Sequence, residues 1–302
     1  MDYLKVLWAF LEVSAPYLLV GLLISGVIHE FVPMAKVKKW LGAKNFSSIF
    51  KAAAIGVPLP LCSCSVIPTA VTLRKSGASN GSTSAFLIST PESGIDSISI
   101  TYGLMDLPMT IFRPVAAFCS AFVAGTLQMF FNDFELPESE QETEVKNCCG
   151  SSKEEQSVKK NRIINIFKYG YGKLSDDIAA WLAFGILLGA MIEFIVPANF
   201  FTSMGMIQNR LMILVIGIPL YICASASTPI AVSLMLKGLS PGSAILFLLV
   251  GPATNISNIA VLQKYIGRKG VIINIVSIAI VALIFSFIVD YVYANYFTLK
   301  LN

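Results

Sequence analysis

Apolar positions fill this chain in long blocks, and the polar positions gather between them. Eight apolar runs can be marked: Val6–Ile28, Ile49–Leu73, Ser84–Leu104, Thr110–Phe131, Ile178–Ile195, Leu211–Leu236, Ser243–Leu262 and Val271–Tyr296. Each approaches the ~20 residues an α-helix needs to cross a ~30 Å hydrocarbon core. The expectation is an all-α polytopic membrane protein. The first run continues past any small-residue cleavage site, which predicts a retained span and not a cleaved signal peptide.

Two of the runs are interrupted in the same way. Gly56–Pro68 reads GVPLPLCSCSVIP and Gly217–Pro229 reads GIPLYICASASTP. Gly56, Pro58, Leu59, Cys62 and Pro68 pair with Gly217, Pro219, Leu220, Cys223 and Pro229 at a constant offset of 161. The offset holds through Gly77/Gly238, Gly81/Gly242, Ser82/Ser243, Phe86/Phe247 and Pro91/Pro252. Upstream, Glu30 faces Glu193 at an offset of 163, which a small indel explains. The chain therefore divides into a first transmembrane repeat (1–131), a polar cytoplasmic loop (132–174) and a second repeat (175–302). Proline costs a helix interior a donor and a clash. Matched Pro/Gly-broken segments are the sequence sign of a secondary transporter whose discontinuous helices meet at the repeat interface.

The charges bear on orientation. If every run spans, both halves point the same way and the lysines scatter to both sides. If the proline-broken segment of each half is re-entrant, the halves are inverted. Lys36, Lys38, Lys39, Lys44, Arg74, Lys75, Lys264, Arg268, Lys269 and the central loop then face the cytoplasm. Lys5, Arg113, Arg210, Lys237 and Lys300 are left outside. The positive-inside rule favours this inverted arrangement.

Composition narrows the function classes. The chain has 302 residues, 55% hydrophobic and 13% charged, with formal net charge +4. That charge is too small and scattered to suggest a nucleic-acid partner. The one histidine, His29, and the lack of HExxH, Walker or dinucleotide motifs argue against an enzyme and against a resident cofactor.

The six cysteines carry the candidate chemistry. Cys62 and Cys64 flank Ser63 at the first break, and Cys223, with Ser225 nearby, stands at the matched one. Soft thiolates suit Cu(I), zinc and thiophilic metalloids, and three converging sulfurs without a fourth ligand would suit trigonal Cu(I) or trivalent arsenic better than tetrahedral zinc. Cysteine is also a common buried small hydrophobe, the reading taken for Cys119. Cys148 and Cys149 in the polar loop could collect a soft ion, or belong to an inert linker. At the second pair of breaks, STPESG (Ser89–Gly94) faces VGPATN (Val250–Asn255). Glu92 and Asp96 there could neutralise a cation or relay a proton, or simply bond freed backbone, and Asn255 is a polar counterpart. Glu12, Glu30, Glu193 and Asp290 are expected beside the headgroups in preference to a proton-coupling role.

GVPLPLCSCSVIP, followed by TPESG and by GPATN, resembles the predicted-permease family that includes organoarsenical efflux permeases. The CSC core with a cysteine-bearing loop looks most like its copper/zinc efflux branch. The resemblance implies a multi-pass inner-membrane exporter of soft metal or organoarsenical species, with Cys62 and Cys64 touching substrate. The expected mechanism is alternating access, with protons as a candidate coupling ion and the lipid bilayer as the medium. The competing expectation is a membrane thiol-disulfide oxidoreductase using the CxC and CC pairs.

Overall fold

In a computed structural model, the described residues are 39–59, 61, 63–135, 205–218, 224–236, 238–254 and 256–296. They form ten α-helices and no strand. In the first half these are α1 (Phe46–Gly56), α2 (Ser63–Lys75), α3 (Asn80–Ser93), α4 (Ile95–Leu104) and α5 (Leu107–Phe131). In the second they are α6 (Met206–Gly217), α7 (Ala224–Leu236), α8 (Pro241–Ala253), α9 (Ile256–Tyr265) and α10 (Gly267–Asn295).

Four of the apolar runs expected to approach a full span are therefore each split into two shorter helices. Among the described residues, only α5 and α10 are long and apolar enough to cross a membrane unbroken. A third span is possible if α8 and α9, bent by 54° at their junction, count as one. The breaks fall where proline and glycine interrupt the runs, after Gly56 and around Pro91–Gly94 in the first half.

Local structure recurs at the sequence offset. Gly77 and Gly238 take φ of 96° and 100°, the left-handed region glycine enters without a Cβ clash. Each sits in the same helix-ending pair of bonds. Ala78 N–H donates to Leu73 O at 3.0 Å, and Leu239 N–H to Leu234 O at 3.0 Å. Ser79 then caps α3 by accepting from Ser82 N–H at 3.2 Å, as Ser240 caps α8 by accepting from Ser243 N–H at 3.2 Å.

α3 and α8 form the centre. Every residue of α3 is buried although its sequence, NGSTSAFLISTPES, is rich in hydroxyls. The hydroxyls are satisfied inside the helix: Thr83, Thr90 and Ser93 donate to the carbonyls four residues back at 2.9, 2.7 and 2.6 Å. α5 packs closely on α3 because a Cβ at Gly81 would stand 2.6 Å from Gly125 O. The matched Gly242 lies equally tight against Ser286 and Asp290 on α10.

α5 and α10 run antiparallel. Tyr293, near the end of α10, donates to Asp106, which caps the start of α5. At the other end Gln128 Nε2 donates to Gly270 O at 2.6 Å and Asn274 Oδ1 at 2.8 Å, and Asn132 Nδ2 to Ile266 O at 3.0 Å. Outward, α5 shows Leu107, Ile111 and Val115, and α10 shows Ile272, Val276, Ile280 and Ile284. A stripe repeating every four residues is one helix face, here the apolar face turned away from the protein.

Candidate functional site

The break at Gly94 is organised around Arg113. α5 carries this side chain inward to the Gly94 junction between α3 and α4, where it is 0% exposed. Its Nε donates to Glu92 O at 3.1 Å, and its Nη1 to Thr101 Oγ1 at 2.7 Å and Ser97 O at 3.4 Å. The same guanidinium crosses to the second half, with Nη1 donating to Thr228 Oγ1 at 2.9 Å and Nη2 to Ala224 O at 3.1 Å. Thr101 and Thr228 each give their own hydroxyl proton to a carbonyl four residues back, at 2.7 and 2.9 Å. Their oxygens are thereby set to accept from arginine. Ending α3 frees its last carbonyls, and the guanidinium takes that of Glu92.

Glu92 stands beside this cluster. Its backbone carbonyl serves Arg113, yet both carboxyl oxygens are buried without a hydrogen-bond partner among the described residues. A buried polar group left unbonded is costly, so this carboxyl has a chemical demand that its surroundings leave unmet.

The second break is built differently. Positions 161 residues beyond Glu92, Ser97, Thr101 and Arg113 hold Ala253, Asn258, Leu262 and Asn274. All four line a small cavity together with Thr254 and Val271. Asn274 is shorter than arginine and is engaged elsewhere, donating to Ser84 Oγ at 3.2 Å. Where the Gly94 break is filled by a guanidinium, the matched place keeps a cavity of about the size of one water molecule.

Each helix that follows a thiol-bearing break packs across the halves. α2 packs against α3 and α9, and α7 against α8, α4 and α3. Ser63 and Cys64 open α2, Ser225 lies in the first turn of α7, and Asp96 in the first turn of α4. Cys62, Cys223, Asn255, Cys148 and Cys149 lie outside the described residues, as do His29, Glu12, Glu30 and Glu193. Among the described residues no three His, Cys, Asp or Glu side chains gather as a metal site.

One sequence expectation needs correction. Arg113 and Arg210, placed on the outer side by the charge pattern, are buried within the protein, 0% and 2% exposed. Asp290, expected beside the headgroups, pairs with Arg210 and accepts from Ser240 Oγ at 3.0 Å and Gly242 N–H at 2.6 Å. It ties α6, α8 and α10 together, while Phe287 covers the Arg210 guanidinium at 3.9 Å. Sequence reasoning passed over Arg113, although a charge inside the run Thr110–Phe131 was the same signal that singled out Glu92.

Cations that remain solvent-facing collect at the other end, where α5 finishes and α10 begins. Arg74 donates to Tyr265 O at 3.3 Å and Phe134 O at 3.0 Å, which brings the ends of α2, α5 and α9 together. Lys75 and Lys264 both lie over the Tyr265 ring, at 5.8 and 5.6 Å. Lys44 reaches Asp133 at 4.0 Å, and Arg268 and Lys269 open α10.

Comparison with known proteins identifies the family. A family model described as a predicted permease, ArsP_1, matches residues 2–291. The UPF0718 protein YcgR of Bacillus subtilis is 22% identical over 281 residues, covering 91% of this chain and 92% of its own. A Streptococcus mutans protein with the provisional name two-component membrane permease complex subunit is 23% identical over 281 residues, covering 91% of each chain. No solved structure matches.

Proposed function

This chain belongs to the predicted-permease family ArsP_1, and on that premise we propose that it exports soft metal ions or thiophilic metalloid species. Copper, zinc and trivalent organoarsenicals are the substrate class. Cys62 and Cys64 bind the substrate, with Cys223 as the contribution of the second half. Sulfur at a broken helix gives an apolar surrounding a preference for soft ions.

The observation that carries the reading is the cross-packing of the two broken elements. α2, which opens with Ser63 and Cys64, meets α9, while α7 meets α4. Thiols from one half thus work beside the freed backbone of the other. The two halves act as an inverted pair, a reading supported by the antiparallel course of α5 and α10 and by caps repeating at the same offset. The basic end, with Arg74, Lys75, Lys264, Arg268 and Lys269, faces the cytoplasm of an inner-membrane protein. Glu92, buried and unbonded, carries the coupling proton, with Asp96 on the same stretch as its relay. Cys148 and Cys149 deliver the ion from the cytoplasmic loop, and Asn255 and Ser225 line the path.

The thiol oxidoreductase alternative draws no support from the family or the relatives. The Streptococcus relative's name favours a second membrane subunit as partner, and co-purification of the protein from its native membrane checks that. The function itself is tested by measuring cellular Cu(I), Zn(II) and phenylarsenite accumulation with and without the protein. Expression lowers accumulation of at least one. Unchanged accumulation of all three would refute the reading.

A further inference from the structure

The basic end does more than mark one side of the membrane. α2 and α9 both finish there, and α10 begins there. Lys75 closes α2 in the first half, while Lys264, Arg268 and Lys269 belong to the second. The Tyr265 ring gathers two of these cations, with Lys75 Nζ 5.8 Å and Lys264 Nζ 5.6 Å from its centroid. Tyr265 is buried, so its ring is a fixed post for both ammonium groups. Two ammonium groups held at one ring repel each other, and the field they share attracts an anion. Arg268 and Lys269, both exposed, add to that field from the first turn of α10. Among the described residues the acids at this end are Asp133 and Glu135. Asp133 reaches Lys44, and Glu135 acts electrostatically on Arg74. Cations therefore outnumber carboxylates here.

An apolar track leads away from the cations. Arg268, Ile272 and Val276 are spaced by four along α10 and so neighbour one another on one face. Arg268 is exposed, and Ile272 and Val276 are 61% and 47% exposed. α10 is long and apolar enough to cross a membrane. This face therefore meets acyl chains, while Arg268 stands at the level of the headgroups.

We propose that the basic end is a binding site for an anionic phospholipid that straddles the seam between the two halves. Lys75, Lys264 and Arg268 take the phosphate, and one acyl chain lies along Ile272 and Val276. Lys75 comes from the first half and the other two cations from the second. A seated headgroup thus ties α2 to the corner between α9 and α10. Arg74 already joins these elements by donating to Tyr265 O at 3.3 Å. The lipid adds a second, exchangeable tie beside it. A zwitterionic lipid would bring a positive charge that the cations repel, and a free phosphate lacks the chain that covers the apolar face. The site does not depend on the export reading, and it stands whatever ion or metalloid the permease carries.

The test uses full-length protein in a neutral detergent. Binding of dioleoyl phosphatidylglycerol and of dioleoyl phosphatidylcholine is titrated by native mass spectrometry, with the melting temperature as a second readout. The variants are Arg268→Gln, Lys264→Gln and Lys75→Gln. The control is Lys51→Gln, since Lys51 lies over Trp40 on the outer side of α1. Phosphatidylglycerol binds the wild-type protein at least tenfold more tightly than phosphatidylcholine and raises its melting temperature. Each of the three variants weakens that binding about fivefold, equivalent to roughly 1 kcal/mol per cation. Lys51→Gln leaves it unchanged. Equal binding of the two lipids overturns the proposal. So does an equal loss in Lys51→Gln, the mark of diffuse surface charge. Binding that Lys75→Gln leaves intact would confine the lipid to the second half and overturn the tie across the seam. Inorganic phosphate that raises the melting temperature as much as the lipid does would make this a free-anion site and overturn the lipid assignment.

Discussion

Arg113 and Thr228 belong to different halves of the chain and are joined by a 2.9 Å hydrogen bond. The bond closes a circuit from the Gly94 break, through a buried guanidinium, to the first turn of the helix that follows Cys223. Beside it lies Glu92, a buried carboxyl whose oxygens have no hydrogen-bond partner among the described residues. In the proposed function this is where substrate movement and proton movement meet.

Glu92→Gln separates those two movements. The amide keeps the size of the side chain and the backbone carbonyl that serves Arg113, but cannot carry a proton. In proteoliposomes, substrate exchange at equal pH continues in the variant. Accumulation driven by a pH gradient falls at least tenfold. Equal loss of both activities would assign Glu92 to substrate binding or folding.

Asp290→Ala removes the acceptor shared by Arg210, Ser240 and the Gly242 amide. It leaves a buried guanidinium without its carboxylate, a change that costs about 3 kcal/mol or more. Ser240→Ala removes only a helix cap, at about 1 kcal/mol. Thermal melting in detergent should therefore rank Asp290→Ala well below Ser240→Ala. The reverse order would show that the ion pair contributes little.

Gly242→Leu has no room, because even a Cβ there would collide with Ser286 O and the Asp290 carboxyl. It should abolish the folded protein, read as loss of the monodisperse peak in size-exclusion chromatography. Gly103→Ala is the control. Nothing lies within 4 Å of a Cβ at that position of α4, and alanine gains up to about 1 kcal/mol of helix propensity.

Gln128→Leu breaks the amide cluster that joins α5 to α10. Gly270 O and Asn274 Oδ1 lose their donor, and Asn132 loses an acceptor. Each buried group left unbonded costs about 1–3 kcal/mol. The variant should melt earlier while keeping the exchange activity it retains below that temperature. A normal melting curve would contradict the cluster's role in holding the halves.

Much of this architecture was legible in the sequence, and particular residues show why. Pro91 and Gly94 mark a helix break because proline and glycine act through local backbone geometry, which no distant contact is needed to reveal. The spacing of Gly77 and Gly238 announced matched turns for the same reason, and the left-handed φ at both follows from it. Arg113 was not legible. Periodicity says on which face of α5 it sits, but not that Thr228, 115 positions away, would be waiting there. Its place near the start of a run gave no sign of its burial. Asp290 was misplaced for want of its partner. A carboxylate late in an apolar helix looks interfacial until Arg210, 80 positions earlier, is folded against it. The proposed thiol site rests on the sequence. Cys62, Cys64 and Cys223 are singled out by their breaks, and the preference of sulfur for soft ions is what suggests the substrate class.

The most direct test of the central claim is transport by purified protein in proteoliposomes, with Cu(I), Zn(II) and phenylarsenite offered separately. Wild-type protein should move at least one of them, and Cys62→Ser and Cys64→Ser should each reduce that movement at least tenfold without lowering the melting temperature. Transport that persists in both variants, or no transport of any of the three by folded wild-type protein, would contradict the account.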